Sequence, residues 1–477
     1  VTLPLISYSG SSVLETLMML SVVQRFYIHN NTSYENEEYD DKNIDTNNNF
    51  IHKLVAFAGM HLHTNVIAGV FVGLFIAISV HLLHYVYYDS AQVINNSYNA
   101  KRQDILAEET IRGDILSADG QVLATTIAHS DDRYYPFDKV FAHAVGYAAN
   151  GRMGVEQSAN MFLVSSNVSL GNKLQNDLAN EKHMGNTVVT TFDARLQKIA
   201  YNALGTYEGT VFVTEPSTGK ILAMVSKPDF NPNTISEIWD SLLEDTTSSV
   251  LLNRATQGLY PPGSTFKILT ALEYIRENPE RYEDYTFQCT GKFSNGKNTI
   301  NCYHGTVHGN VDLMESFAKS CNSSFANIGL KLDRRKFKKT LDNLFFNKKL
   351  PVDFPANTSS ISDEIASNDN AMIQTVIGQG TTQMTPIQLA MITAMIANNG
   401  VMMEPYMIDH IETAEGKVIK TYAPHALGKL ITEQEAAVLQ EAMKTVVEEG
   451  TGTRLISEGY SAAGKTGSAE FNSNSDS

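Results

Sequence analysis

The chain has 477 residues, of which 43% are hydrophobic and 18% charged, which is enough for two or three domains with their own cores. Its formal net charge of −16 at pH 7 argues against a nucleic acid as the partner. Three cysteines are too few for a scaffold built on disulfides, and no signal-peptide cleavage pattern is evident.

An apolar run from Val13 to Val23 lies near the start of the chain and is interrupted by Glu15. It is short for a membrane span and is equally compatible with a buried helix. Residues 2–12 before it read TLPLISYSGSS, which resembles the loop before the last transmembrane helix of the SEDS (shape and division) glycan polymerases. The resemblance implies that residues 1–28 are a terminal transmembrane segment of that kind and that a SEDS polymerase is a partner. The catalytic aspartate of that family lies further upstream, so no polymerase activity follows.

Residues 29–65 are predicted to be an acidic, asparagine-rich linker, because residues 30–49 contain almost nothing to bury. The apolar stretch at residues 66–88 is long enough to span a bilayer, and its last tyrosines are placed like an interfacial belt. We therefore expect a transmembrane anchor at residues 66–88. The positive charges on its two sides do not decide its orientation.

Short strand-like phrases separated by turns fill residues 89–185, which we predict to be a small mixed domain. Residues 111–115 and 119–124 are typical of two short strands around an Asp119-Gly120 turn. No cluster of catalytic groups stands out in this domain.

The pattern changes at Thr187, where a β-rich stretch leads to Asp193, a natural cap for a helix running to Leu204. Residues 210–214 and 221–225 flank a Pro-Ser-Thr-Gly turn, which predicts a β-hairpin. We expect this antiparallel pair to provide a sheet face on which the later helix at Ser264 packs.

The chemistry is centred on residues 260–267, which read YPPGSTFK. The Pro-Pro-Gly segment cannot lie inside a helix, whereas residues 266–275 have helical spacing, so Ser264 lies at a helix start. Lys267 follows one turn later on the same face, where its amine can reach the Ser264 hydroxyl. A serine hydroxyl is a poor nucleophile until a base takes its proton. Ser264 and Lys267 are therefore the minimal unit of an activated serine.

The Ser-x-x-Lys spacing alone is weak evidence, because a serine at a helix start is also an ordinary helix cap. Of the serines with this spacing, only Ser264 follows a proline-glycine turn. The same spacing occurs in three other pairs: Ser217 and Lys220, Ser294 and Lys297, and Ser316 and Lys319.

Two further motifs follow in a fixed order: Ser320-Cys321-Asn322, which interrupts the helical stretch 313–332, and Lys465-Thr466-Gly467. The ordered set Ser-x-x-Lys, Ser-x-Asn and Lys-Thr-Gly resembles that of the penicillin-binding protein transpeptidases. Phrases at Arg112 and at residues 154–156 resemble the dimerisation-like pedestal of the class B, monofunctional members. The resemblance covers nearly the whole second half of the chain.

The resemblance implies an α/β (α+β) fold. The transpeptidase domain, residues 186–477, would contain an antiparallel sheet flanked by helices, and residues 89–185 would form the pedestal. Members of the family continue past Lys-Thr-Gly with further strands and a terminal helix, so we expect this domain to be truncated at the C-terminus. Lys465 to Ala469 is expected to be a strand beside the cleft.

The implied activity is that of a serine D,D-transpeptidase that cross-links peptidoglycan stem peptides through an acyl-enzyme. Ser264 would attack the penultimate D-Ala carbonyl, an amine of a second stem would resolve the ester, and β-lactams would acylate the same serine. For Lys267 to be the base, its pKa must lie well below the ordinary value of about 10.4. Burial, the helix start and the charge of Lys465 all act in that direction.

The remaining roles are also implied by the resemblance. Ser320 would relay a proton to the leaving amine, and Asn322 would bond the substrate backbone and Lys267. Lys465 would also attract a substrate carboxylate, next to the substrate-binding residues Thr466, Gly467 and Ser468. The oxyanion hole would be formed by the backbone amides of Ser264 and Ser468.

No metal or organic cofactor is implied. Cys289, Cys302, His304 and His308 make a zinc site conceivable, but the spacing of the two cysteines is far from the usual one. In an extracytoplasmic loop we favour a disulfide between Cys289 and Cys302. Cys321 would then be a lone thiol beside the cleft.

Two other functions remain open. A serine β-lactamase or β-lactam sensor shares the Ser-x-x-Lys unit, although no second glutamate motif for a hydrolytic water is evident. A catalytically inert cell-wall scaffold is the other, because the chain stops at Ser477. The implied location is the plasma membrane, with the catalytic domain extracytoplasmic. The sequence does not decide between a role in cell elongation, and hence cell shape, and one in division.

Overall fold

The computed structural model describes residues 70–82, 84, 110–127, 130, 132–167, 178–179, 181–245 and 249–469. The predicted segments at 1–28 and 29–65 lie outside the described residues. The apolar stretch at 66–88 is described only at residues 70–82, which are helical, and at residue 84. Among the described residues, no helix has both the length and the apolar character needed to cross a membrane. The chain divides into two compact units, residues 1–93 and residues 94–477.

Both strands and helices occur in the second unit, in runs of several strands or several helices, as expected for a mixed fold. The described strands are β1 (Thr110–Ile111), β2 (Ile115–Leu116), β3 (Val122–Thr126), β4 (Arg133–Tyr134), β5 (His183–Met184), β6 (Thr187–Thr190), β7 (Gly209–Thr214), β8 (Ile221–Lys227), β9 (Thr286–Cys289), β10 (Lys292–Asn295), β11 (Asn298–Asn301), β12 (Gly309–Asp312), β13 (Val401–Met403), β14 (Ile408–Glu412), β15 (Val418–Thr421) and β16 (Ala426–Lys429).

The α-helices of this unit carry more of its buried apolar residues than the strands do. The described α-helices are α1 (Gly154–Ser158), α2 (Asn160–Leu163), α3 (Ala194–Leu204), α4 (Ile235–Glu244), α5 (Lys267–Glu277), α6 (Leu313–Ala318), α7 (Asn322–Lys331), α8 (Arg334–Asn343), α9 (Asp369–Thr375), α10 (Pro386–Ala397) and α11 (Glu433–Glu448).

The largest sheet has six strands in the order β15-β14-β6-β2-β3-β4. Strand β6 pairs parallel with β2, with Val188 opposite Ile115, and both of these side chains are fully buried. The described strands of residues 186–477 pair antiparallel with one another, as predicted. The parallel pair joins a strand of the predicted pedestal to a strand of the predicted transpeptidase domain, so both parts contribute to one sheet.

The predicted hairpin is confirmed, because β7 and β8 pair antiparallel from Gly209 opposite Lys227 to Thr214 opposite Ile221. The helix before it is confirmed as well: the side chain of Asp193 accepts a hydrogen bond from the backbone N–H of Leu196 and so caps α3. Helix α3 packs on β8, and α10 packs on β7.

Helix α5, which begins at Lys267, packs chiefly against helices rather than on the face of the hairpin. It contacts α6, α7, α8 and α11, and eight of its eleven residues are buried. A helix that is buried on nearly all sides needs neighbours on all sides, and one sheet face does not supply them. The expectation that this helix lies on the hairpin was therefore wrong.

Residues 286–312 form a small arm made of two antiparallel pairs, β9 with β12 and β10 with β11. The arm leads directly into α6, whose N-terminus is capped by Asp312 and Glu315 in a reciprocal capping box. Strands β10 and β11 both contact α7. The arm thus lies against the two helices that flank Ser320.

Candidate active site

Ser264 lies in a tight helical turn, Gly263–Phe266, that leads into α5. The backbone N–H of Gly263 donates to the carbonyl of Gly378 over 2.9 Å. Gly263 has φ +55°, and a Cβ atom at this position would overlap the carbonyl oxygen of Ser468. Only glycine combines this backbone conformation with so close an approach. The predicted helix start at Ser264 is confirmed.

The amine of Lys267 is the centre of the site. Its side chain is fully buried, and Nζ lies 3.1 Å from Ser264 Oγ. The same nitrogen donates to the Asn322 side-chain oxygen over 2.6 Å and to the Ser320 carbonyl over 2.7 Å. The structure therefore brings the nucleophile candidate, its base candidate and the Ser-x-Asn motif together.

The hydrogen-bond partners of Lys267 differ in whether they can donate a hydrogen bond as well as accept one. The Ser320 carbonyl and the Asn322 side-chain oxygen only accept, and the Asn322 amide nitrogen in turn donates to Asn301 O over 3.0 Å, which fixes its orientation. A neutral amine has two N–H groups and one lone pair. With both N–H groups engaged by these acceptors, the lone pair is left for the two nearby hydroxyls, those of Ser264 and Ser320, each 3.1 Å away.

The surroundings of Lys267 favour its neutral form. Burial lowers the pKa of Lys267 well below its ordinary value of 10.5, and the positive charge of Lys465 lowers it further. The ring of Phe325, 5.6 Å from Nζ, gives a weaker attraction that favours the charged form. Desolvation is the larger effect, so this lysine is suited to accept a proton.

Lys465 reaches the same site from the C-terminal part of the chain. Its amine donates to Ser320 Oγ over 3.0 Å and to the carbonyl of Thr466 over 3.0 Å. Because Lys267 Nζ lies 3.1 Å from the same oxygen, one hydroxyl bridges the two amines. Burial lowers the pKa of Lys465 to about 8.

The turn between α6 and α7 presents Ser320 to both lysines. Ser320 has φ +55°, a left-handed conformation that is uncommon for a residue other than glycine. The Cys321 N–H bonds to the carbonyl of Ser316 over 2.9 Å, and Cys321 then caps α7 with its sulfur. The predicted interruption of the helical stretch is confirmed.

The segment Lys465 to Ala469 runs beside Ser264, but the predicted strand there is wrong. A strand needs a ladder of backbone hydrogen bonds to a neighbour, and in the described residues no strand pairs with this segment. Thr466, Gly467 and Ser468 are all exposed. A Cβ at Gly467 would lie 2.8 Å from the Thr265 methyl group, so this glycine permits close packing on the turn that carries Ser264.

Two contacts of the site were not anticipated from the sequence. Thr466 Oγ1 lies 2.6 Å from Thr451 Oγ1, and the backbone N–H of Thr451 donates to Ala318 O over 3.2 Å. Thr451 thus connects the Lys-Thr-Gly segment to the end of α6. The sequence feature that could have indicated the contacts of Thr451 is Gly-Thr-Gly at 450–452 after a long helix, because glycines permit close approach of the backbone.

The predicted disulfide between Cys289 and Cys302 is not formed, since both cysteines and Cys321 are free and buried. The Sγ atoms of Cys289 and Cys302 are 3.7 Å apart, whereas a disulfide bond is about 2.05 Å long. Cys321 is not a lone thiol either, because its Sγ lies 3.8 Å from Cys302 Sγ.

Comparison with known proteins places these elements in a family. Residues 209–477 match the model of the penicillin binding protein transpeptidase domain, and residues 112–188 match that of the penicillin binding protein A dimerisation domain. The peptidoglycan D,D-transpeptidase PbpA of Mycolicibacterium smegmatis is 31% identical over 396 residues, which cover 78% of this chain and 80% of that protein.

Two solved structures are similar in fold to most of this chain. The D,D-transpeptidase domain of a peptidoglycan glycosyltransferase from Eggerthella lenta has a TM-score of 0.69 at 28% identity, covering 76% of this chain and 87% of that one. Penicillin-binding protein A from M. tuberculosis, solved as a penicillin G acyl-enzyme complex, has a TM-score of 0.65 at 28% identity and covers 71% of this chain and 82% of that one.

Proposed function

The chain belongs to the penicillin-binding protein transpeptidase family, and on that premise we propose that Ser264 is its nucleophile and Lys267 the base. The protein is a peptidoglycan D,D-transpeptidase that works through a serine acyl-enzyme and is a target of β-lactams. The observation that carries the residue assignment is the fully buried Lys267 amine, 3.1 Å from Ser264 Oγ.

Acylation begins with proton transfer from Ser264 Oγ to the neutral amine of Lys267, while Oγ attacks the carbonyl carbon of the penultimate D-Ala. The peptide C–N bond then breaks and the leaving D-Ala amine needs a proton. Ser320 Oγ, within 3.1 Å of both lysine amines, passes the proton on to it. The amine of a second stem peptide attacks the ester by the same steps in reverse, and its proton returns to Ser264.

The developing oxyanion is stabilised by two backbone N–H groups, those of Ser264 and Ser468. Ser264 lies in the first turn of a helix, where backbone N–H groups have no acceptor within the helix. Such preorganised donors each contribute about 3 to 4 kcal/mol to a transition state of this kind. The close approach of Gly263 to the Ser468 carbonyl supports placing both amides on one side of the Ser264 hydroxyl.

Lys465, Thr466 and Gly467 receive the substrate. Below pH 8 the Lys465 ammonium is charged and attracts the carboxylate of the terminal D-Ala, and Thr466, held by Thr451, offers a hydroxyl next to it. Exposed backbone at Gly467 and Ser468 is free to bond an extended stem peptide in the manner of an added strand. Asn322 bonds the substrate backbone while holding Lys267.

The nucleophile is tested by labelling the purified chain with a fluorescent penicillin. Ser264→Ala should abolish labelling, because it removes the hydroxyl of the Ser-x-x-Lys motif. The other hydroxyl beside the Lys267 amine, that of Ser320, also accepts a hydrogen bond from Lys465 and has the proposed role of a proton relay. Ser294→Ala is the matched control, since Ser294 has the same spacing to a lysine but is an exposed residue of β10, and it should label like the wild type. Labelling that survives Ser264→Ala refutes the assignment, and rapid turnover of the penicillin indicates a β-lactamase instead.

We also propose that the chain is a class B, monofunctional member with a membrane anchor at residues 66–88, an extracytoplasmic catalytic domain and a SEDS polymerase as partner. This proposal is supported by the apolar composition of residues 66–88 and by the phrase at residues 2–12. Deletion of residues 1–88, which removes both expected membrane segments, should release the chain from membranes washed with alkaline carbonate. A SEDS polymerase should co-purify with the full chain, and its absence from the purified material would contradict that partner.

A further inference from the structure

Four metal-binding side chains converge where the arm of residues 286–312 meets the Ser320 turn. They are Cys289 at the end of β9, Cys302 after β11, His308 before β12, and Cys321 at the cap of α7. Their ligand atoms all lie within 4.8 Å of one another. Together they include all three cysteines of the chain.

The spacing of these atoms fits a tetrahedral metal centre. Zinc binds thiolate sulfur at about 2.3 Å and imidazole nitrogen at about 2.0 to 2.1 Å, so the tetrahedron has sulfur–sulfur edges of about 3.8 Å and sulfur–nitrogen edges of about 3.6 Å. The measured sulfur–sulfur distances are 3.7 Å for Cys289 and Cys302 and 3.8 Å for Cys302 and Cys321. Cys289 Sγ lies 3.4 Å from His308 Nδ1.

Hydrogen-bond donors surround the sulfur atoms as they do around metal thiolates. The backbone N–H groups of Gly291 and Ser324 point at Cys289 Sγ and Cys321 Sγ, each over 3.4 Å. Ser323 Oγ lies 3.1 Å from Cys302 Sγ. Such donors stabilise negative charge on sulfur. A disulfide between Cys289 and Cys302 would leave Cys321 and His308 without a role in the cluster.

We propose that Cys289, Cys302, Cys321 and His308 form a structural zinc site of the Cys₃His type. Three thiolates and one imidazole nitrogen select a borderline-soft cation such as Zn²⁺ over Mg²⁺ or Ca²⁺. Each cysteine loses its thiol proton to the solvent when its sulfur binds the metal. Four protein ligands close the coordination sphere, so the ion has a structural and not a catalytic role.

The site connects the arm to the catalytic turn. Cys321 lies between Ser320 and Asn322, and Asn322 also donates to Asn301, the residue before Cys302. Zinc at this position would hold the left-handed turn at Ser320 through Cys321, and so fix two of the groups that contact Lys267. Cys321 is thereby a positioning residue.

The binding test uses the full chain, purified under reducing conditions and equilibrated with Zn²⁺ before gel filtration. Its metal content should be about one zinc per chain, as for a single closed site. Replacement by Co²⁺ should give the intense visible bands of tetrahedral cobalt together with a thiolate-to-cobalt charge-transfer band. A chain that retains no zinc overturns the proposal, and so does a Cys289–Cys302 disulfide found by peptide mapping of chain that was purified without reductant and alkylated.

His308→Ala and Cys289→Ser should lower the affinity for Zn²⁺ at least about tenfold, as losses of ligand contacts do. His304→Asn is the matched control, because His304 lies in the same loop but is exposed and outside the cluster, and asparagine tolerates its left-handed conformation. Equal zinc content in His308→Ala and wild type would exclude His308 as a ligand. If Cys289→Ser does not fold, the zinc content of His308→Ala and the cobalt spectrum of the wild type still test the proposed site.

The predicted effect of zinc on catalysis rests on the proposed function, whereas the predicted zinc content and cobalt spectrum do not depend on it. Removal of zinc by a chelator should slow acylation by penicillin about ten- to a hundredfold, the cost expected when a catalytic group is displaced by about 1 Å. Re-addition of Zn²⁺ should restore the rate in the wild type and in His304→Asn. Unchanged acylation after zinc removal would overturn the positioning role of Cys321.

Discussion

Two lysine amines share one hydroxyl at the centre of this site, and in the proposed mechanism each has a different electrostatic task. In that mechanism Lys267 is neutral when it accepts the Ser264 proton, whereas Lys465 is charged when it attracts a carboxylate. Burial lowers the pKa of both, and the charge of Lys465 lowers that of Lys267 further. Both requirements are met at a pH that is above the lowered pKa of Lys267 and below the pKa of Lys465.

The pH dependence of acylation follows from these two groups. The rate should rise as pH passes the lowered pKa of Lys267 and fall above about 8, where the Lys465 ammonium loses its proton. Lys465→Gln should abolish the fall and move the rise to higher pH, because the pKa of Lys267 increases when a neighbouring positive charge is removed. The second-order rate constant for penicillin, measured from pH 5 to 10, tests both shifts.

Lys429→Gln is the control for this experiment, since Lys429 lies on the exposed strand β16 and should leave the pH profile unchanged. If the acylation rate of Lys465→Gln rises at the same pH as that of the wild type, the charge of Lys465 does not lower the pKa of Lys267.

At the scale of elements, a buried ion cluster joins the start of the mixed sheet to helix α1. Glu156 is fully buried and accepts from Arg112 Nε over 2.6 Å and from Arg133 Nε over 2.7 Å. Burial by itself raises the pKa of the Glu156 carboxyl, but the two guanidinium groups outweigh it and the pKa lies below its ordinary value of 4.5. The two phrases that resembled the pedestal, at Arg112 and at 154–156, are thus in direct contact.

Glu156→Gln should lower the free energy of unfolding by about 3 to 5 kcal/mol, because it leaves two buried guanidinium groups without a counter-charge. Since the folded-state pKa is lowered, the stabilisation by Glu156 is present above the ordinary carboxyl pKa and is lost as pH falls through the lowered value. Urea unfolding between pH 3 and 7 measures both effects. Glu181→Gln, an exposed change, should have little effect, and equal stability of the two variants would contradict the role of Glu156.

At the scale of the whole molecule, the shared six-stranded sheet makes the two predicted domains interdependent. Strands β2, β3 and β4 come from residues 89–185 and β6, β14 and β15 from residues 186–477, and the parallel contact of β2 with β6 lies in the interior of the sheet. Residues 94–477 also form one compact unit. Separating the two parts would expose the edges of buried strands.

Calorimetric unfolding of residues 94–477 within the full chain should therefore show one transition for this unit, and Glu156→Gln should shift it as a whole. Two transitions, of which only the first moves in Glu156→Gln, would mean that the pedestal and the transpeptidase part unfold independently.

Local features of this protein were readable from the sequence because they depend on residues only a few positions apart. The Pro-Pro-Gly turn before Ser264, the Asp193 cap, the β7–β8 hairpin and the break between α6 and α7 are features of this kind, and the structure has all of them. Lys267 lies within reach of Ser264 for the same reason: one helical turn separates them.

Contacts between distant parts of the chain were decided only by the tertiary structure. β2 pairs parallel with β6, and α5 packs among helices, and neither contact leaves a signature in neighbouring residues. Ser320 and Lys465 meet across 145 positions, and the sequence implied their meeting only through the family resemblance. The cysteines illustrate the same limit, because their spacing in the chain favoured a disulfide, whereas the fold brings the third thiol and His308 to the same place. Which groups become neighbours depends on how the whole core packs, and packing is a property of all its residues together.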